Sequence, residues 1–139
     1  MTVILDRCPL ELVERMWPHV LPHIARACNA VTTSETPDSI LSDLLADRAG
    51  LWVIMEADNP LPFLGAAVTC MRQTNNGLVA EIRFLGGRQG HRWIRICLKE
   101  FEGHARDSGA DLLHIEGRRG WRRFLPDYRE IRTVIEKRL

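Results

Sequence analysis

The sequence predicts an α/β fold: a mostly antiparallel sheet carrying one βαβ crossover, with two helices ahead of it. Three observations predict it. Leu10, Val13, Trp17, Val20, Leu21, Ile24 and Cys28 recur at helical spacing, but from Leu51 onward the apolar residues fall into short strand-like runs. Asn76-Gly77 between two of those runs marks a tight hairpin. An amphipathic stretch then separates two further runs, and a helix between neighbouring strands makes them parallel. The chain has 139 residues, 45% of them hydrophobic, enough for a core and consistent with one domain over residues 1–139.

Each element follows from local chemistry. A short strand at "TVIL" (2–5) precedes a helix from Pro9 to Ala30, which Pro18 and Pro22 predict to be kinked or split. In "SETPDSILSDLLADRAG", Thr36 is a natural N-cap with Pro37 at the first helical position. A second helix is therefore expected from Pro37 to Ala49, with Gly50 as its stop. Strands are read at "LWVIMEA" (51–57), "FLGAAVTCMRQ" (63–73) and "LVAEIRFL" (78–85), the last two joined by "TNNG" with positive φ at Asn76-Gly77. A helix from Arg92 to Ser108 should bury Trp93, Ile96, Cys97 and Phe101 and end at Gly109. Then come a strand at "DLLHIEG" (111–117), a helical turn at "WRRFL" and a final strand at "YREIRTVIEKRL" (128–139).

Composition excludes some function classes. No apolar run approaches the ~20 residues that span a bilayer, so no membrane partner is expected. The N-terminus "MTVILDRCPLELVE" carries acids and no basic leader, so no signal peptide is read there. Cys8, Cys28, Cys70 and Cys97 are far apart and contain no CxxC pair, which predicts free thiols in a reducing compartment. Charge is uneven: residues 1–82 hold 5 Lys/Arg and 10 Asp/Glu, whereas residues 83–139 hold 14 and 8. The simplest expectation is that the two halves pair with each other; docking to an acidic surface is the functional counterpart.

The order of elements, with "AEIRFLGG", "WIRICLKEFEGHARDSGADLLHIEG" and "WRRFLPDYREIRTVIEKRL" in sequence, resembles the GNAT superfamily of N-acetyltransferases over most of the chain. The combination "IEGRRGWRRFLPDYREIRTVIEKRL" is also similar to small GNAT-like proteins encoded by phages and prophages. The resemblance implies that the crossover strand, turn and helix would face the pyrophosphate of acetyl-CoA, and that two parallel strands would splay to admit its pantetheine arm.

The turn itself is "GGRQGH": Gly86, Gly87, Arg88, Gln89, Gly90 and His91 are the candidate cofactor-binding residues. A glycine-rich turn leading into a helix offers backbone N–H groups and the positive end of the helix dipole. The superfamily motif runs Gln or Arg, two residues, Gly, one residue, then Gly or Ala. From Arg83 the chain reads R-F-L-G-G-R, which puts Arg88 where a small residue belongs; from Gly87 it reads G-R-Q-G-H-R and misses at both ends. A structural corner is therefore expected, with no bound cofactor, and acetyl-CoA only if the protein is an enzyme. The tyrosine that the resemblance implies as general acid on the last short helix is replaced near its place by Phe124. Tyr128, the single tyrosine, matches an aromatic position opening the last strand.

Candidate catalytic residues are Glu81, His114 and Glu116. Glu81 and Arg83 share one strand face, His114 and Glu116 another; on neighbouring strands they would line one cleft, where burial raises a carboxylate pKa. An Arg83–Glu116 cross-strand ion pair is the structural alternative, and the favoured one. His19 and His23 stand four apart but lack a third ligand, so no metal is expected. His91 and His104 are read as solvent-facing, and Trp17, Trp52, Trp93 and Trp121 as core or interface anchors, with base stacking a remote alternative. Arg118, Arg119, Arg122 and Arg123 crowd around Trp121 and predict a docking face for an acidic protein, Trp121 at its core, with weak nonspecific nucleic-acid contact. Two functions follow: a non-catalytic phage or prophage assembly or virion protein, or an acetyl-CoA-dependent N-acetyltransferase acting on an amine. The location implied is the cytoplasm, or the virion for a structural component.

Overall fold

A computed structural model describes residues 2–30, 33–117, 119–131, 135, 137 and 138. Five strands, β1 (Val3–Arg7), β2 (Gly50–Glu56), β3 (Gly65–Thr74), β4 (Gly77–Gly87) and β5 (Leu112–Ile115), form one sheet in chain order. β1 to β4 are antiparallel; β4 and β5 are parallel, joined by the crossover helix α3 (Ile94–Asp107). Helices α1 (Val13–Ala30) and α2 (Pro37–Leu45) lie between β1 and β2 in sequence. The predicted fold class is the one observed.

Alternation along the strands sends residues to two cores. Leu51 and Val53 of β2, with Ala66, Val68 and Phe84, pack under Val20 and Ile24 of α1 and Ile40 and Leu44 of α2. Trp52 and Ile54, with Ala67 and Ile82, face Trp93, Ile94, Cys97 and Phe101 on the other side. Ile24 is completely buried, so truncation to Ala would cost about 2–5 kcal/mol through lost burial and a residual cavity.

Several elements differ from expectation for identifiable reasons. α1 is one continuous helix, because Pro18 and Pro22 lie on its exposed face and the carbonyls they orphan, on Glu14 and Pro18, are on that wet side too. α2 starts as expected: the Thr36 hydroxyl accepts from the Ser39 amide (3.2 Å) and the Ser39 hydroxyl accepts from the Thr36 amide (2.9 Å). It ends early, at Leu45, where Asp47 turns to φ 59°, and Gly50 opens β2 instead of closing the helix. In the β3–β4 hairpin only Gly77 has positive φ (125°); Asn76 does not. A Cβ on Gly77 would stand 2.5 Å from the Asp111 carboxylate, which accepts from the Leu78 amide at 2.9 Å.

In α3, Ile94 and Leu98 take the core positions and Ile96 is 47% exposed. The final strand is absent at Tyr128–Ile131, which are irregular; residues 132–134, 136 and 139 of that expectation lie outside the described residues. Pro126 and Asp127 turn the chain so that Leu125 and Tyr128 fold back on the α3 core, and the Tyr128 hydroxyl donates to Glu102 at 2.9 Å. All four cysteines are free. Among the described residues no helix is long and apolar enough to cross a membrane.

Candidate functional site

β4 is the axis of the site. Val68 pairs with Phe84 but Thr69 pairs with Ile82, so Arg83 is an extra residue, a bulge that bends the strand. β4 and β5 pair only from Val79–Leu112 to Ile82–Ile115, with one further bond from the Glu116 amide to the Ile82 carbonyl at 2.9 Å. Beyond it β4 runs on to Gly87 whereas β5 ends at Ile115, which leaves a gap beside β4. Ala27, Ala30, Arg83, Phe84, Glu116 and Gly117 border the gap, and these side chains leave no water-sized space in it.

The candidate turn is tied up by its own chain. Gly86 and Gly87 belong to β4 and pair with Ala66 and Gly65, so they are strand residues rather than turn residues. Both are glycines for close packing: a Cβ on Gly86 would meet the His23 carbonyl at 2.4 Å, and one on Gly87 the Leu64 carbonyl at 2.5 Å. The Arg88 amide donates to the Leu64 carbonyl (2.9 Å) and its guanidinium to that of Pro62 (3.3 Å). The buried Trp93 indole donates to the Arg88 carbonyl (2.9 Å). Gln89 adopts φ 54° and accepts from Arg92 at 3.0 Å. The Arg92 and Trp93 amides bond back to Gln89 and Gly90, closing the 3-10 turn Gly90–Arg92 before α3, with His91 exposed.

Over this turn lies Trp121, from the 3-10 segment Arg119–Phe124. Its indole is 5.9 Å from the Trp93 ring, and a Cβ on Gly90 would come within 2.5 Å of it. The indole N–H is buried with no hydrogen-bond partner among the described residues. Trp121 is thus partly buried against the core, the first of the two roles, core or interface anchor, read for it from the sequence. A pyrophosphate would need the volume above Gly90 and the turn's amides. The residues as placed fill part of that space: the volume holds an indole, and three of the turn's amides, those of Arg88, Arg92 and Trp93, are already bonded.

On the α2 side of β4 and β5 the catalytic candidates do gather. Glu81 stands opposite His114 in register, and Glu116 lies two residues further along the same face. Each has company. Glu81 accepts from Arg72 at 2.8 Å; Arg83 is paired with Glu35, from the segment before α2, and lies 3.6 Å from Asp43 on α2. Sequence reasoning missed Glu35 and Asp43, because only the tertiary fold brings α2 over the bulge, and nothing local in the sequence links them to Arg83. Tyr128 offers no proton to this site. Burial, then its bond to Glu102, pushes its phenol well above the usual range, and the hydroxyl is spent on α3. His19 packs its edge on Phe63, and the His23 Nε2–H donates to the Phe63 carbonyl at 3.1 Å; no His/Cys/Asp/Glu group among the described residues could hold a metal.

The sequence matches no protein-family model, and no curated protein matches it. Solved structures do match in shape. A GNAT family acetyltransferase from Staphylococcus aureus superposes with a TM-score of 0.60 at 11% identity, over 100% of each chain. A predicted acetyltransferase with acetyl-CoA from Clostridium acetobutylicum gives 0.65 at 9%, over 99% of this chain and 96% of that one. The ribosomal-protein-alanine N-acetyltransferase of Brucella melitensis gives 0.65 at 14%, over 99% and 98%. At these identities the likeness is one of architecture, and the chain has the fold of the GNAT N-acetyltransferases.

Proposed function

We propose that this chain uses the acetyltransferase fold as a protein-binding scaffold, an assembly or virion component of a phage or prophage, and does not turn over acetyl-CoA. One observation carries the reading: the Trp121 indole lies on Gly90, in the turn that the resemblance would set facing a phosphate. Phe124 in the place of a general acid and the closed gap beside β4 support it. The partner would be acidic. Trp121 packs beside Trp93 at the head of α3, where His91, Arg92 and Arg95 are exposed; Arg123 is exposed next to it, while Arg122 is already paired with Glu130 at 3.0 Å. Calorimetric titration tests the first half: no heat is expected with millimolar acetyl-CoA, and saturable binding overturns it. Reversing Arg92 and Arg95 to Glu tests the second, with lost assembly at unchanged melting temperature as the expected result.

A second reading, an acetyl-CoA-dependent N-acetyltransferase of an amine, is favoured by the carboxylates of Glu35, Asp43, Glu81 and Glu116 gathered over one face of β4, which suit a cationic acceptor. It requires Trp121 to leave Gly90 and Arg83 to release its acids. Thiol release from acetyl-CoA in the presence of a polyamine would establish it.

A further inference from the structure

At the opposite end of β4 from the turn, a cleft of about 300 Å³ opens between the C-terminal half of α3 and the sheet. That is the small end of the range for ligand pockets. Its inner wall is apolar and buried: Trp52, Ile82, Phe101 and Ala105. Trp52 is fixed from several sides. Its indole donates to the Thr69 hydroxyl at 2.8 Å, Phe101 meets it edge-on at 5.2 Å, and the His104 ring lies 4.9 Å away.

Arg7, from β1, crosses this wall. Its guanidinium carbon stands 5.5 Å from the centre of the Trp52 ring, and its other side rests on Gly50, where an added Cβ would come within 2.5 Å of it. Among the described residues no carboxylate lies within ion-pairing distance of Arg7, although Asp47 also borders the cleft; Glu81, the other acid there, is bonded to Arg72. An arginine held over an aromatic ring with no carboxylate partner keeps N–H donors available, in the fork geometry that matches a carboxylate. Gly50 makes the seat, Trp52 the platform, and the apolar wall continues beneath.

We infer that this cleft binds a small organic acid with an apolar body, its carboxylate on Arg7 and its aliphatic or aromatic part against Trp52, Phe101 and Ala105. The site shares no residue with the turn under Trp121, so it stands whether or not acetyl-CoA binds.

The experiment follows the Trp52 indole N–H by nitrogen-15 NMR, with the signal assigned by Trp52→Phe, while octanoate or phenylacetate is titrated into the intact protein. Octylamine and phenethylamine serve as charge-reversed controls. The acids should shift the signal saturably and the amines should bind at least tenfold more weakly. Arg7→Gln should weaken acid binding about tenfold, as befits loss of a charge-assisted hydrogen bond. Gly50→Ala should do the same by displacing the guanidinium, with the other indole signals unmoved as the check on folding. No saturable shift with either acid overturns the site. Amines binding as tightly as acids, or unchanged affinity in both variants, overturns the assignment to Arg7.

Discussion

Trp121 and Gly90 are in direct contact: the indole covers the glycine so closely that a single Cβ would come within 2.5 Å of the ring. The head of α3 is therefore lidded by a side chain some thirty residues later in the sequence. Gly90→Ala should destabilise the fold by ~1–3 kcal/mol through overpacking. In a Trp121→Leu background the same substitution should cost almost nothing, because residues in contact couple. Urea denaturation of the four proteins measures this, and additive costs would mean the indole is not seated there.

Arg83 is held by two acids at once, Glu35 and Asp43, with all three side chains about one-quarter exposed or less. Glu35→Gln and Asp43→Asn should each cost roughly 1 kcal/mol after allowance for solvent screening. The double variant should depart from additivity, because one guanidinium serves both. Equal additive losses would show that the acids act separately.

His23 predicts a pH dependence. Burial, chiefly, lowers its pKa from the ordinary value, with help from the Arg26 and Arg88 charges and against the bond to the Phe63 carbonyl. The unfolded chain then takes up a proton near pH ~6.5 while the folded chain stays neutral. Stability present above that pH is lost as pH falls below it. His23→Gln, which can still donate to Phe63, should flatten the melting temperature between pH 7 and 5. An equally steep profile in the variant would place the effect elsewhere.

Tyr128→Phe removes the hydroxyl that donates to the Glu102 carboxylate. A partly buried bond of this kind should cost about 1 kcal/mol in chemical denaturation. If the protein proves to transfer acetyl groups, the rate at saturating substrate should be unchanged. A hundredfold fall would make Tyr128 the general acid.

The parts of this fold written in local chemistry were legible in the sequence. Thr36 and Ser39 start α2 through reciprocal hydrogen bonds, with Pro37 fixing the first helical φ between them, and the Thr74–Gly77 reversal needs only a few residues to define it. Boundaries were less so: Gly86 and Gly87 read as turn from composition, yet their role is to let β4 run close against Leu64 and His23. The candidate site was half legible. Alternation on adjacent strands placed Glu81, His114 and Glu116 on one face. The partners of Arg83 come from the α1–α2 region, and the lid on Gly90 from the C-terminal segment. Contacts at such sequence separation leave no period or motif to read.

Strand order that follows chain order also shapes how the protein emerges from the ribosome. β1 through β4 pair with sequence neighbours, and α1 and α2 cover one face of them before α3 is made. A nascent chain ending near Gly87 already owns one complete core, while the opposite face, with Trp52, Ile54 and Ile82, waits uncovered. Such transient apolar surface beside an unpaired β4 edge is where misassociation during synthesis would begin. The short path from β4 through α3 to β5 keeps that interval to a few tens of residues.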